Sequence, residues 1–187
     1  MNHRTQGFME RPFWKPDVIE TRQKAGGIKA NDHFKSLLLV QEAIRGVQII
    51  DRDNKEKIPD KKVAFNGNLL KLCWVRYEIE SYLVHPDVLA RFVAEIVGPT
   101  AELADIESMK EAMRKELPGR VVDDPFQHDG LKTIKAREKI LPPLLDKAGL
   151  SGFPYTRYSE IAAVMKPEEI HPEITDKLDA IADHLGL

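Results

Sequence analysis

The sequence predicts an α/β fold with a helical tail, and three observations carry that expectation. Two short apolar runs, residues 47–50 and 69–75 (LLKLCWV), have strand length, and each is followed closely by a pair of acids. A stripe of Phe34, Leu37, Leu38, Gln41 and Ile44 at helical spacing precedes the first run. From Pro86 onward the apolar patterns have a helical period. The order is helix, strand, loop, strand, then mostly helices.

Residues 1–30 read as an irregular lead-in or the truncated first part of a domain. Pro12, Pro16, Gly26 and Gly27 break any period there, and Phe8, Phe13 and Trp14 show none. Asn31 or Asp32 would cap the first helix, and Gly46 would close it. The strand over 47–50 then leads into Asp51 and Asp53 at its C-terminal end, where ligands gather in open α/β sheets. Residues 54–68 are polar and turn-rich, with Asn54, Pro59, Asp60, Asn66, Gly67 and Asn68, and predict a surface loop. The second strand, over 69–75, is followed by Glu78 and Glu80.

Pro86 suits the first turn of a helix whose apolar face holds Val88, Leu89, Phe92 and Ile96. Gly98-Pro99 breaks the chain, and a second, highly charged helix carries Leu103, Ile106 and Met113. Another loop spans 118–130. A basic helix follows from Lys132 with Lys135, Arg137 and Lys139, and Pro142-Pro143 must kink or restart it. A short helix over 158–165 and an amphipathic one from Pro172, with Ile174, Leu178, Ile181 and Leu185, complete the chain. The organisation is thus a lead-in over 1–30, an α/β core over 31–98 and a helical region over 99–187. Two strands are too few for a complete sheet. Either residues 1–30 supply another strand, or part of the sheet lies outside this chain.

Composition narrows the function. A net charge of −2 over 187 residues excludes a strongly basic nucleic-acid coat. It leaves room for binding through a local basic face or through metal ions that screen phosphate. The single cysteine, Cys73, has no partner for an internal disulfide, which fits a reducing compartment. No apolar run approaches the roughly 20 residues of a membrane helix, and no signal-peptide core follows the N-terminus. The expectation is a soluble cytoplasmic protein.

The chemistry centres on the acids. Alternate residues of an extended chain point the same way, so Asp51 and Asp53 can face one point. Mg²⁺ takes oxygen ligands, commonly one or two carboxylates with water and substrate phosphate. Asp51, Asp53, Glu78 and Glu80 therefore predict a metal site that handles phosphate. The ordinary alternatives are turn chemistry for the aspartates and a solvated strand end for the glutamates. Two mechanisms use such acids: carboxylates holding cations that activate water, or a first aspartate acting as nucleophile and a second as general acid. The latter resembles the haloacid-dehalogenase phosphatases, with Asp51 as nucleophile. Their motif usually has Thr or Val where this chain has Lys55.

The run Ile49-Ile50-Asp51-Arg52-Asp53-Asn54, with Arg76-Tyr77-Glu78-Ile79-Glu80-Ser81-Tyr82-Leu83, resembles the Toprim domain of the overcoming-lysogenization-defect (OLD) family of ATPase-nucleases. The resemblance covers about residues 25–180 and is strongest over 47–86. Ser81 stands where the family usually has Asn. It implies a partial Toprim sheet of parallel strands flanked by helices, Mg²⁺ or Mn²⁺ as cofactor, and nicking or cleavage of DNA. Asp51 and Asp53 would bind metal, Glu78 and Glu80 would complete or orient a second metal site, and Lys135 or Lys139 would stabilise the developing phosphorane charge. Against that last role stands a plain solvated basic helix. The resemblance also implies an ATPase domain or subunit acting in trans, and a possible homodimer. The chain departs from the pattern at the first Toprim strand, which ends in Glu-Gly. Glu10 and Glu20 are the early candidates, and neither precedes Gly. No Gly-x-x-x-x-Gly-Lys-Ser/Thr loop occurs, so the expectation is a chain without the ATPase half. A non-catalytic accessory or remnant domain is the third reading. His3, His33, His85, His128, His171 and His184 show no zinc-site spacing, His85-Pro86 reads as a helix entry, and His128 is a candidate neighbour of the acids against the more ordinary reading of a solvated loop.

Overall fold

A computed structural model of the protein describes residues 30–53 and 58–187. The lead-in, Glu10, Glu20, Asn54 and Lys55 lie outside the described residues. The elements in chain order are α1 (Ala30–Val40), β1 (Gly46–Ile50), β2 (Lys61–Ala64), β3 (Leu69–Cys73), a 3₁₀ turn (Ile79–Leu83), α2 (Pro86–Ile96), α3 (Ile106–Glu116), α4 (Arg120–Asp123), α5 (Ala136–Lys139), α6 (Leu141–Lys147), a 3₁₀ turn (Tyr155–Arg157), α7 (Tyr158–Ala163), a 3₁₀ turn (Pro167–Glu169) and α8 (Pro172–Leu185). The class is mixed α/β with a helical C-terminal part. Among the described residues, no helix is long and apolar enough to cross a membrane.

The chain forms two compact units, and they do not follow the sequence-based boundaries at 31–98 and 99–187. The first takes the described residues up to Ile50, with Pro59–Cys73 and Glu173–Leu187. The second takes the described part of Asp51–Ile58 and all of Trp74–Pro172. The chain thus leaves the first unit at the last residue of β1 and again at the last residue of β3.

In the first unit the three strands run in the order β1-β3-β2. β1 and β3 are parallel, with Val47 opposite Leu70 and Ile49 opposite Leu72. β2 is antiparallel to β3, so the sheet is mixed rather than all-parallel. β3 is central, and Leu69, Leu70, Leu72 and Cys73 are all buried, as an apolar run without alternation requires. Ile181 of α8 joins Leu70 and Leu72 in a small core, flanked by Val47, Ile49, Leu178 and Leu185. Polar ties support it: Arg45 donates to the His184 carbonyl at 2.9 Å, and the His184 ring lies 3.1 Å from the Asn68 carbonyl.

Two elements here differ from the sequence reading. β2 falls inside the expected loop. Its Lys61, Lys62 and Val63 are exposed, so it carries no apolar period, and its lysines suit an edge strand. Gly46 does not close α1, which ends at Val40. It opens β1 beside the buried Phe34 ring, where a Cβ would lie 2.6 Å from a ring carbon.

The second unit is helical and holds the larger core. α2 has Pro86 at its N-terminus and buries Val88, Leu89, Phe92 and Val93, while Ile96 is exposed. α3 is capped by Asp105, which accepts from the Ser108 N–H at 2.9 Å, and it buries Met109, Ala112 and Met113. Leu103, Leu131, Ile140, Leu141, Leu145 and Ile161 fill the space between them. The expected loop over 118–130 contains the single turn of α4, whose Val121 and Val122 are buried. The expected basic helix from Lys132 is shorter. α5 starts at Ala136, and the prolines restart the chain as α6. Glu169 is gripped by the Arg91 fork of α2 at 2.5 and 2.8 Å, and accepts from the Lys166 N–H at 2.7 Å.

Candidate acidic site

All four predicted acids belong to the second unit. The segment after β1 runs alongside the segment after β3. Arg52 N–H and Asp53 N–H both donate to the Tyr77 carbonyl, at 3.0 and 3.3 Å. The Arg52 side chain donates to the Trp74 carbonyl at 2.8 Å. Asp53 has left-handed backbone, φ 45°, so the chain turns there instead of continuing extended as the alternation argument assumes. Aspartate tolerates that conformation better than most residues.

Arg76 locks the second segment. It is 1% exposed, and its guanidinium donates to the carbonyls of Ser81 and Gln127 at 2.8 Å and to that of Pro125. The guanidinium carbon sits 4.8 Å from the Tyr82 ring centroid. Three carbonyls and one ring face together fix the turn that carries Glu78 and Glu80. Arg76 is therefore a buried clamp, not part of a solvated strand face.

Asp51 accepts a hydrogen bond from the Ile79 N–H and is half-buried. Burial pushes its carboxyl above the ordinary aspartate value, and the charges of Glu80 and Asp53 push it further. Arg137 opposes them more weakly. Glu78 is 2% exposed and accepts the Arg137 N–H at 2.7 Å. Burial raises its pKa, Glu80 adds to that, and Arg137 and Lys135 counter it. Glu80 is less deeply placed and lies 3.4 Å from the Arg137 guanidinium. Asp51 thus lies within electrostatic reach of Asp53 and Glu80, Glu78 lies within reach of Glu80, and Arg137 acts as a cation on both Asp51 and Glu78.

Of the two lysines, Lys135 pairs with Glu138 at 2.5 Å and its charge also acts on Glu78. Lys139 is exposed, and its charge acts on Glu138. His128 packs with its ring 4.9 Å from that of His171, which in turn meets Phe126 and Tyr82, so it sits in an aromatic cluster. His85 is the N-terminal cap residue of α2, matching the expected helix entry.

Among the described residues, no three His, Cys, Asp or Glu side chains converge as a set of metal ligands. A Mg²⁺ ion does not need such a cage: one or two carboxylates suffice when water and substrate phosphate fill the other positions. Asp51 with Asp53 or Glu80 is the donor set of the right chemistry. Glu78 already serves the Arg137 N–H. Sequence reasoning passed over Arg137, because it sits in a run of basic residues that looks like one solvated face.

Beside the acids, Arg137 also borders a pocket of about 440 Å³ lined by Phe153, Pro154, Tyr155 and Tyr158. No family model matches the chain, and neither does any curated protein or solved structure.

Proposed function

We propose that the acidic site is a Toprim-type, metal-dependent nuclease centre that nicks or cleaves the DNA backbone with Mg²⁺ or Mn²⁺. One observation carries the reading. Asp51 is half-buried, and burial with the charges of Glu80 and Asp53 pushes its carboxyl toward the protonated form. A divalent cation would relieve that repulsion and keep Asp51 ionised. Asp51, with Asp53 or Glu80, would hold the ion. Bound there, it would supply an activated water and charge stabilisation at the phosphate. Glu78 fixes the main chain of Arg137 and so the start of α5. Arg137 orients Glu80. Lys135 contributes positive charge on the Glu78 side. Preorganised cations of this kind stabilise charge that develops on a phosphorane.

The test is plasmid nicking with Mg²⁺ or Mn²⁺, comparing the parent with Asp51→Ala plus Asp53→Ala. Metal-dependent nicking that disappears in the double variant supports the reading. Nicking that survives refutes it. Hydrolysis of a phosphate monoester by the parent, without nicking and dependent on Asp51, moves the site to the phosphatase mechanism. Neither activity leaves an accessory domain that is not catalytic.

A further inference from the structure

We propose that the pocket beside Arg137 is a stacking site for one unpaired base of single-stranded DNA. This rests on the nuclease reading of the neighbouring acids and names the form of its substrate. The pocket volume, about 440 Å³, lies in the range of small-ligand sites and is ample for one nucleobase with part of its sugar. Its wall is aromatic. Tyr155 is 60% exposed, so its ring is offered to solvent. The Arg137 guanidinium carbon lies 5.3 Å from the Tyr155 ring centroid and braces it from one side. Tyr158 is 4% exposed, and its ring runs parallel to that of Phe153, 8° between planes and 6.3 Å between centroids. Arg157 covers Phe153 with its guanidinium carbon 4.7 Å from the ring centroid. The pocket thus combines the paired rings of Phe153 and Tyr158 with one open ring, that of Tyr155.

The chemistry favours a base over a purely apolar guest. Glu138 and Arg137 line the same pocket and supply an acceptor and donors for the polar edge of a heterocycle. Arginine beside an aromatic ring is the pairing that single-strand binders use, because every base has a π-face and every nucleotide a phosphate. Placement supports this. The same Arg137 touches Glu80, and the charges of Glu80 and Glu78 are felt at Tyr158. A base held on Tyr155 is therefore separated from Glu80 by one side chain, Arg137. A base paired in a duplex cannot enter such a pocket without leaving its stack.

The test uses a short oligodeoxythymidylate carrying one 2-aminopurine, whose fluorescence falls when it stacks, titrated in EDTA so that no metal-dependent cleavage occurs. Parent protein should quench the labelled single strand, and an unlabelled duplex of the same length should not compete for it. Tyr155→Ala should weaken single-strand binding about tenfold, the order expected for one lost base–aromatic stack, and abolish the quench. Tyr155→Phe should restore both. Equal binding and quenching by parent and Tyr155→Ala overturns the proposal, as does competition by the duplex equal to that by the unlabelled single strand. Because Tyr155 is exposed, loss of the fold does not confuse the result. The two readings separate in the parent itself: a quench in EDTA from a protein that never nicks with Mg²⁺ or Mn²⁺ retains the base site and removes the nuclease.

Discussion

Glu169→Gln tests how the second unit is held together. Glu169 accepts two hydrogen bonds from Arg91 and one from the Lys166 N–H, and its pKa falls from the ordinary 4.5 to about 2, chiefly through the Arg91 bonds. That fall corresponds to a ceiling of about 3.4 kcal/mol. The Arg91 side chain is 25% exposed, so solvent screens the pair and rehydrates the guanidinium when its partner is lost. We therefore expect a loss of about 2 kcal/mol at pH 7. The folded pKa lies below the unfolded one, so this stability is fully present above pH 4.5 and drains away as pH falls toward 2. Roughly two-fifths of it should be left at pH 3. Urea titrations of parent and variant, followed by fluorescence of the buried Trp74, measure the gap at pH 7 and again at pH 3. A gap that stays constant between those pH values, or that falls below about 0.5 kcal/mol at pH 7, refutes the assignment of stability to this ion pair.

Gly46→Ala should cost about 1–3 kcal/mol, since its Cβ would meet the Phe34 ring at 2.6 Å in a packed site. Adding Phe34→Leu should recover part of that loss, and additive effects in the double-variant cycle would show that the two residues do not press on each other. Asp51→Asn should raise the thermal midpoint in EDTA at pH 7. The carboxyl pKa is raised by burial, Glu80 and Asp53, so its contribution is fully present below the ordinary 3.8 and is lost once the group ionises. Added Mg²⁺ should then stabilise the parent but not the variant, and equal stabilisation of both would place the ion elsewhere.

Much of the fold could be read from apolar periodicity because most of its elements bury one face. The runs around Leu70 and Val47, the Val88–Phe92 face of α2 and the last helix all declare themselves in this way. β2 could not be read, since an exposed edge strand with Lys61 and Lys62 has the composition of a loop. The division into two units was equally hidden, because each is assembled from segments far apart in sequence. Within the site, acid spacing pointed to Asp51, Asp53, Glu78 and Glu80 together, but not to what holds them. Arg76 looks like a surface residue until its three carbonyl partners, from two separate segments, are in view. Tyr155 shows no period, and its contact with Arg137 spans too many residues to be read from spacing.

Arg137 links the acids to the pocket. Its main-chain N–H holds Glu78, its guanidinium holds Glu80, and the same guanidinium lies against Tyr155. A lysine at this position would keep the first contact, which is made by the backbone. It would not reproduce the other two together, because an ammonium has no plane to lay on a ring while forking toward a carboxylate. The first contact stabilises the turn into α5, and the other two align an acid and an aromatic ring about one charge.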